Sequence, residues 1–319
     1  MPRIVVTSPS FSRNPTLRRE LLERYPGARF REGETVLSGQ ALIDHIGDAE
    51  AAIVGLELIT EDLLAAVPQL KLVAKYGVGL DNIDRAACER RGVAIGWTGG
   101  LNARSVAEMA LCFMLGLSHN IFHTANLMRQ GTWLKRGGVL LSGHTVGIIG
   151  IGNVGREVVR LLSPLGCRIL GNDIEDRAEF YREYDVIQVD KETLYAEADL
   201  VSLHVPLTPQ THHLMNTATL AQLKRGAFLL NTSRGKVVDQ EALRTALLSG
   251  HLGGAALDVY ELEPPTDLAF LNHPTLIATP HIGGNAEEAV LAMGRSAIHH
   301  MDAFWAEQST GRKPTNEVR

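Results

Sequence analysis

His144-Thr145-Val146-Gly147-Ile148-Ile149-Gly150-Ile151-Gly152-Asn153-Val154-Gly155 decides the fold. Val146 to Ile149 is an apolar, largely β-branched run that leads straight into Gly150-x-Gly152-x-x-Gly155. Beyond it, Val158, Val159, Leu161, Leu162 and Leu165 recur at helical spacing. Strand, glycine turn and helix in that order form the dinucleotide-binding fingerprint. Gly150 permits the tight turn, Gly152 lets a pyrophosphate approach the backbone, and Gly155 lets the helix pack close. The helix start at Asn153 and Val154 offers unpaired N–H groups and the positive end of a dipole to the phosphates. A second apolar strand, Arg168 to Asn172, ends at Asp173, eighteen residues past Gly155. An acid there accepts hydrogen bonds from the adenosine ribose and repels a 2′-phosphate, which favours NAD over NADP; Arg177 nearby softens that preference.

The bulk numbers agree with a globular chain. At 319 residues there is room for two cores, and 45% hydrophobic with 21% charged residues is ordinary for a folded protein. A net charge of −5, with no basic block, gives no reason to expect nucleic acid or a membrane surface as partner. Cys88, Cys112 and Cys167 lack metal-ligand spacing, so no metal site and no disulfide framework are expected. Ile4-Val5-Val6 is too short for a signal-peptide core, and the longest apolar run, Met109 to Leu117, is too short to span a bilayer, so a cytoplasmic protein is expected.

Strand patterns alternate with helical ones on both sides of the fingerprint. Ile4 to Val6, Ala51 to Gly55, Leu70 to Lys75 and Val93 to Gly96 read as strands before it, with Thr60 as a helix cap. Thr98-Gly99-Gly100-Leu101 is a Gly-rich break, followed by one long helical pattern from about Arg104 to about Gln130. Met109, Phe113, Met114 and Leu117 on it read as core. Five more strands follow the fingerprint strand and complete a six-strand fold near 282, and a final helical pattern from Asn285 to about Trp305 has no sheet left to join there. The expected class is therefore α/β: two doubly wound parallel-sheet domains. A Rossmann NAD-binding domain (99–282) is inserted into a flavodoxin-like substrate domain (1–98 and 283–319).

Ligands of open parallel sheets bind beyond the carboxyl ends of the strands. Three chemically useful residues fall there: Arg234, Glu263 and His281. A histidine exchanges a proton near neutral pH, a carboxylate against it raises its pKa and fixes its tautomer, and a guanidinium grips a carboxylate with two parallel bonds. Each alone has a bland explanation as a surface or loop residue. Their common placement points to reduction of a small 2-oxo acid or oxidation of the matching 2-hydroxy acid.

Five segments resemble the D-isomer-specific 2-hydroxyacid dehydrogenase family: Lys75 to Asp84, Asn102 to Glu108, the glycine fingerprint, Asn231 to Gly235, and Thr279 to Gly284. Within it the chain is most similar to the 3-phosphoglycerate dehydrogenase branch without a regulatory domain. The resemblance implies Arg234 as the substrate arginine, His281 as acid/base and Glu263 as its partner. It implies that His204, Pro206, Thr232, Ser233, Asp258 and Gly283 line the coenzyme. It implies that Lys75, Tyr76, Gly77, Val78 and Gly79 receive the substrate, chiefly through N–H groups at Val78 and Gly79, and that the protein is a homodimer through its NAD-binding domain. Two departures stand out. Gly99-Gly100 replaces the usual Pro-Gly, and Glu57 stands where phosphate-binding relatives carry an arginine, which argues against a phosphorylated acid. Two rival readings use the same scaffold: a formate- or phosphite-type dehydrogenase, and a non-catalytic NADH-sensing protein.

Overall fold

The computed structural model describes residues 1–309 and 317–318. It divides into two compact units, 1–102 with 287–319, and 103–286. The contact division thus falls at 102/103 and 286/287, four residues beyond each expected boundary.

The first unit holds a parallel sheet in the order β2-β1-β3-β4-β5-β13, where β1 is Ile4–Val6, β2 Arg29–Phe30, β3 Ala51–Val54, β4 Leu72–Lys75, β5 Ala94–Gly96 and β13 Glu317–Val318. The order 2-1-3-4-5 is the flavodoxin-like one. Strands β1, β3, β4 and β5 are buried at every residue because helices cover both faces. One face packs Phe11, Leu17 and Leu21 with Ala297, Met301 and Phe304 of the closing helix Glu287–Ser309. The other packs Leu42, Ile46, Leu63, Leu64 and Cys88. The helix Glu61–Ala66 starts as its sequence demands: the Leu63 N–H donates to Thr60 Oγ1 at 3.2 Å.

The second unit holds a seven-stranded parallel sheet in the order β12-β11-β10-β9-β6-β7-β8. Here β6 is Thr145–Ile149, β7 Arg168–Asn172, β8 Ile187–Gln188, β9 Leu200–Leu203, β10 Phe228–Asn231, β11 Gly254–Leu257 and β12 Leu276–Ala278. Read from the fingerprint strand, the first six follow the 3-2-1-4-5-6 order of the dinucleotide fold. The third of these, β8, is two exposed residues at an edge and carries no hydrophobic pattern from which to expect it; the seventh, β12, extends the sheet at the other edge.

The long helical pattern after residue 103 is two helices, Ala103–Ser118 and Ile121–Arg129, bent by 70° at the break. Asn120 sits in the left-handed region at φ 56°, which asparagine tolerates and an α-helix does not. The returning chain occupies the freed carbonyl: the Val139 N–H donates to Ser118 O at 2.7 Å. Phe113, Met114 and Leu117 of the first helix are core, whereas the second buries none of its residues. Among the described residues, no single helix is long and apolar enough to cross a membrane.

Candidate functional site

The first half of the site is the end of β6. Gly150 has φ +93°, and a Cβ there would lie 2.5 Å from His204 O; a Cβ at Gly155 would lie 2.0 Å from Gly150 O. Both positions therefore need glycine. Gly152 is different, because nothing lies within 4 Å of where its Cβ would stand. It is also the N-cap of Asn153–Leu162, and no side chain among the described residues caps the first N–H groups of that helix. Asp173, at the end of β7, accepts the Ile151 N–H at 2.5 Å and the Glu175 N–H at 2.8 Å, which ties it to the glycine turn. Arg177 lies 3.7 Å from Asp173 and 2.6 Å from Glu175, so its charge is shared with two local acids.

The second half is built on the ends of β9 to β12. His204 Nε2 is 2.8 Å from Ser202 Oγ, and burial pushes its pKa down to about 4, so the ring is neutral. Its Nδ1 and the Thr232 hydroxyl are buried without a protein partner. An open glycine cradle at a helix start, a half-buried acid beside it and two orphaned polar atoms at the neighbouring strand ends fit a dinucleotide. Pro206 is exposed, directly after His204 and Val205 in the chain.

Asn231 shapes the turn that carries the arginine. Its Oδ1 accepts the Ser233 N–H (3.0 Å) and hydroxyl (2.8 Å), while its Nδ2 donates to Arg234 O at 2.9 Å. An asparagine bonded to the backbone two residues on is a self-contained turn. Arg234 Nη1 donates to Ser233 O at 2.7 Å.

Glu263 and His281 meet directly, Oε2 to Nδ1 at 2.7 Å, with both side chains partly exposed. The Tyr260 N–H donates to Glu263 Oε1 at 3.0 Å and fixes the carboxylate from behind. Asp258, only 2% exposed, does the same for the histidine loop. Its carboxylate accepts Thr279 Oγ1 (2.6 Å), Ile282 N–H (2.8 Å) and Gly283 N–H (2.7 Å), bracketing His281, whose φ is +54°. The Tyr260 hydroxyl adds a 2.9 Å bond to Thr279 O. The hydrogen bond to Glu263 raises the His281 pKa above its ordinary value, against burial and the Arg234 charge, which lower it. Burial pushes the Glu263 carboxyl up, but the His281 and Tyr260 bonds, with the Arg234 charge, hold it below the usual range. Arg234 is thus close enough to act electrostatically on both members of the couple.

The first unit treats its polar strand-end residues otherwise. Lys75, 4% exposed, donates from Nζ to Gly55 O (2.5 Å) and Asn82 Oδ1 (2.7 Å). The expected substrate cation is therefore turned inward, where it ties two loops together. Glu57 is fully buried, accepting the Gly55 N–H (2.8 Å) and the Thr7 hydroxyl (3.0 Å). It is buried rather than open to solvent, and its second oxygen, Oε1, has no hydrogen-bond partner among the described residues. The Tyr76 ring belongs to the core, edge-on to Phe11 at 5.4 Å, and its N–H donates to Val54 O at 2.9 Å. Gly77 has φ +138°, and the Val78 carbonyl is anchored by the Trp97 indole N–H at 2.9 Å. Sequence reasoning did not assign Asp258 or Tyr260 to holding the His281 and Glu263 loops. Asn231 was missed too, although Asn ahead of Thr-Ser-Arg-Gly carries the signal of a side-chain-closed turn.

Residues 111–283 match the family profile of the D-isomer specific 2-hydroxyacid dehydrogenase NAD binding domain. The chain is 39% identical to a hydroxypyruvate reductase of Thermotoga maritima over 241 residues, 74% of this chain and 78% of that protein. It is 35% identical to the D-3-phosphoglycerate dehydrogenase of Homo sapiens over 86% of its length, and spans about half (52%) of that longer protein. Among solved structures it resembles a D-lactate dehydrogenase from Aquifex aeolicus complexed with NAD and lactic acid, with TM-score 0.84, 26% identity, and 97% and 98% of the two chains covered.

Proposed function

The chain belongs to the D-isomer specific 2-hydroxyacid dehydrogenases, NAD-dependent oxidoreductases, and on that premise we propose that it interconverts a D-2-hydroxy acid and its 2-oxo acid with His281 as acid/base. The 2.7 Å contact between Glu263 and His281 carries this reading. A carboxylate only accepts, so Nδ1 holds the proton and Nε2 is left to exchange one. In reduction, protonated Nε2 donates to the carbonyl oxygen; in oxidation, neutral Nε2 takes the hydroxyl proton. Bound NAD supplies the hydride acceptor or donor. The helix start at Gly152 to Gly155 holds its pyrophosphate and Asp173 its adenosine ribose. Thr232, Ser233, His204, Pro206, Asp258 and Gly283 line its nicotinamide end. Arg234 grips the substrate carboxylate, and its charge polarises the carbonyl. In the first unit, the N–H groups of Val78 and Gly79 are the proposed donors to a substrate.

A non-phosphorylated acid of the hydroxypyruvate or glyoxylate kind suits the chain better than a phosphorylated one, because Lys75 is committed to Gly55 and Asn82. Exposed Ile121, Phe122, Met128, Trp133 and Leu140 favour a homodimer through the second unit; Trp133 alone is 75% exposed. Three free cysteines suit the cytoplasm. The test is NADH oxidation against glyoxylate, hydroxypyruvate, phosphohydroxypyruvate and sugar-derived 2-oxo acids. Turnover of an unphosphorylated acid is expected. Tight NADH binding without oxidation by any of them would return the chain to the sensor reading.

A further inference from the structure

The stretch Tyr260 to Pro264 after β11 carries two carboxylates, and only one serves the couple described above. Glu263 turns to His281, while Glu261 turns to the start of the helix Gln240–Leu248. Its Oε1 accepts the Gln240 N–H at 3.1 Å and lies 3.0 Å from His213 Nε2. His213 is held firmly itself. Its backbone sits at φ +48°, its ring stacks on His212 with centroids 4.0 Å apart, and its N–H donates to Lys236 O at 2.8 Å. Lys236 is two residues past Arg234, and Met215 continues the attachment with a bond from its N–H to Val237 O at 3.1 Å. Between these points Gly235 lies so close to Tyr260 that a Cβ would come within 1.9 Å of the Tyr260 carbonyl. His213 therefore grips the Arg234 loop with its backbone and the Glu263 loop with its ring.

We infer that His213 and Glu261 form a positioning pair that sets where Arg234 and Glu263 stand relative to each other. The pair touches neither substrate nor coenzyme in this account, which rests on the roles proposed for Arg234, Glu263 and His281. As a partly exposed contact it contributes little to stability. Its consequence is geometric: it closes a loop of contacts from Arg234 through Lys236, His213 and Glu261 to Glu263. Misplacement of catalytic groups by a fraction of an ångström is costly to rate even when the fold survives.

The test compares His213→Asn with Glu263→Gln in the full chain. Asparagine tolerates the left-handed backbone but is too short to reach Glu261. The charged groups that bear on His281 are Glu263, Asp258 and Arg234, so displacing Glu263 moves the pH midpoint of the reduction rate downward. For His213→Asn the expected result is a fall of about tenfold in kcat/KM for the 2-oxo acid, the scale of a lost positioning contact. A lower pH midpoint and unchanged NADH affinity should accompany it. Glu261→Ala should reproduce this, Glu261→Gln should restore most of it, and the double variant should be no worse than either single one. If His213→Asn does not fold, the same numbers are read from Glu261→Ala against Glu261→Gln. Wild-type kcat/KM and midpoint in the pair variants, with a shifted midpoint in Glu263→Gln, overturns the inference alone. An unshifted midpoint in Glu263→Gln overturns the acid/base reading beneath it.

Discussion

The two sheets share one plan and spend their strand-end polar groups in opposite ways. In the first unit, Lys75 and Glu57 face inward and satisfy Gly55, Thr7 and Asn82. In the second, Arg234, Glu263 and His281 stay partly exposed, while a separate set of buried groups, Asn231, Asp258 and Tyr260, holds their loops. A charged residue at a strand end is therefore not by itself a ligand contact. What separates the two cases is burial: Lys75 and Glu57 are buried, whereas Glu263 and His281 keep exposed surface.

That contrast breaks most visibly at His281. His281→Ala should lower reduction turnover by about 10²–10⁴-fold, the usual worth of a positioned acid, and leave NADH affinity unchanged. Stopped-flow reduction and NADH fluorescence titration check it. Next in size, Phe304→Ala in the closing helix, at 1% exposure, should destabilise the first unit by about 3–5 kcal/mol in denaturant unfolding. Lys75→Met separates structural from substrate roles. It leaves Asn82 Oδ1 without the Lys75 donor, while Gly55 O keeps only the Asn82 amide, and should cost about 1–3 kcal/mol of stability. A substrate-binding lysine would instead raise KM and leave unfolding unchanged. The smallest effect is on pH-dependent stability. The Glu263–His281 pair stabilises the fold between the lowered Glu263 pKa and the raised His281 pKa. That stability is lost as pH falls through the first or rises through the second, and Glu263→Gln removes the window.

Much of this was legible in the residues. The fingerprint, the capped helix at Thr60 and the parallel strands follow from local pattern, because buried strands must be apolar and a phosphate turn must be glycine-rich. The two-residue strands β2 and β8 carry no pattern at all, and the bend at Asn120 is one backbone conformation inside a continuous apolar period. The inward turn of Lys75 was invisible for a different reason. Central strands are covered on both faces, so alternation does not tell which way a terminal lysine points. The Glu263–His281 pairing is implied by the resemblance, but the support of its two loops by Asp258 and Tyr260 depends on tertiary packing and leaves no local pattern.

The most direct measurement is the pH dependence of NADH-driven 2-oxo acid reduction in the wild type and in Glu263→Gln. Reduction uses protonated His281, so the rate should fall as pH rises through a midpoint that the Glu263 hydrogen bond holds above the ordinary histidine range in the wild type. In Glu263→Gln that midpoint should move down. Coincident midpoints in the two proteins would contradict His281 as an acid held charged by Glu263.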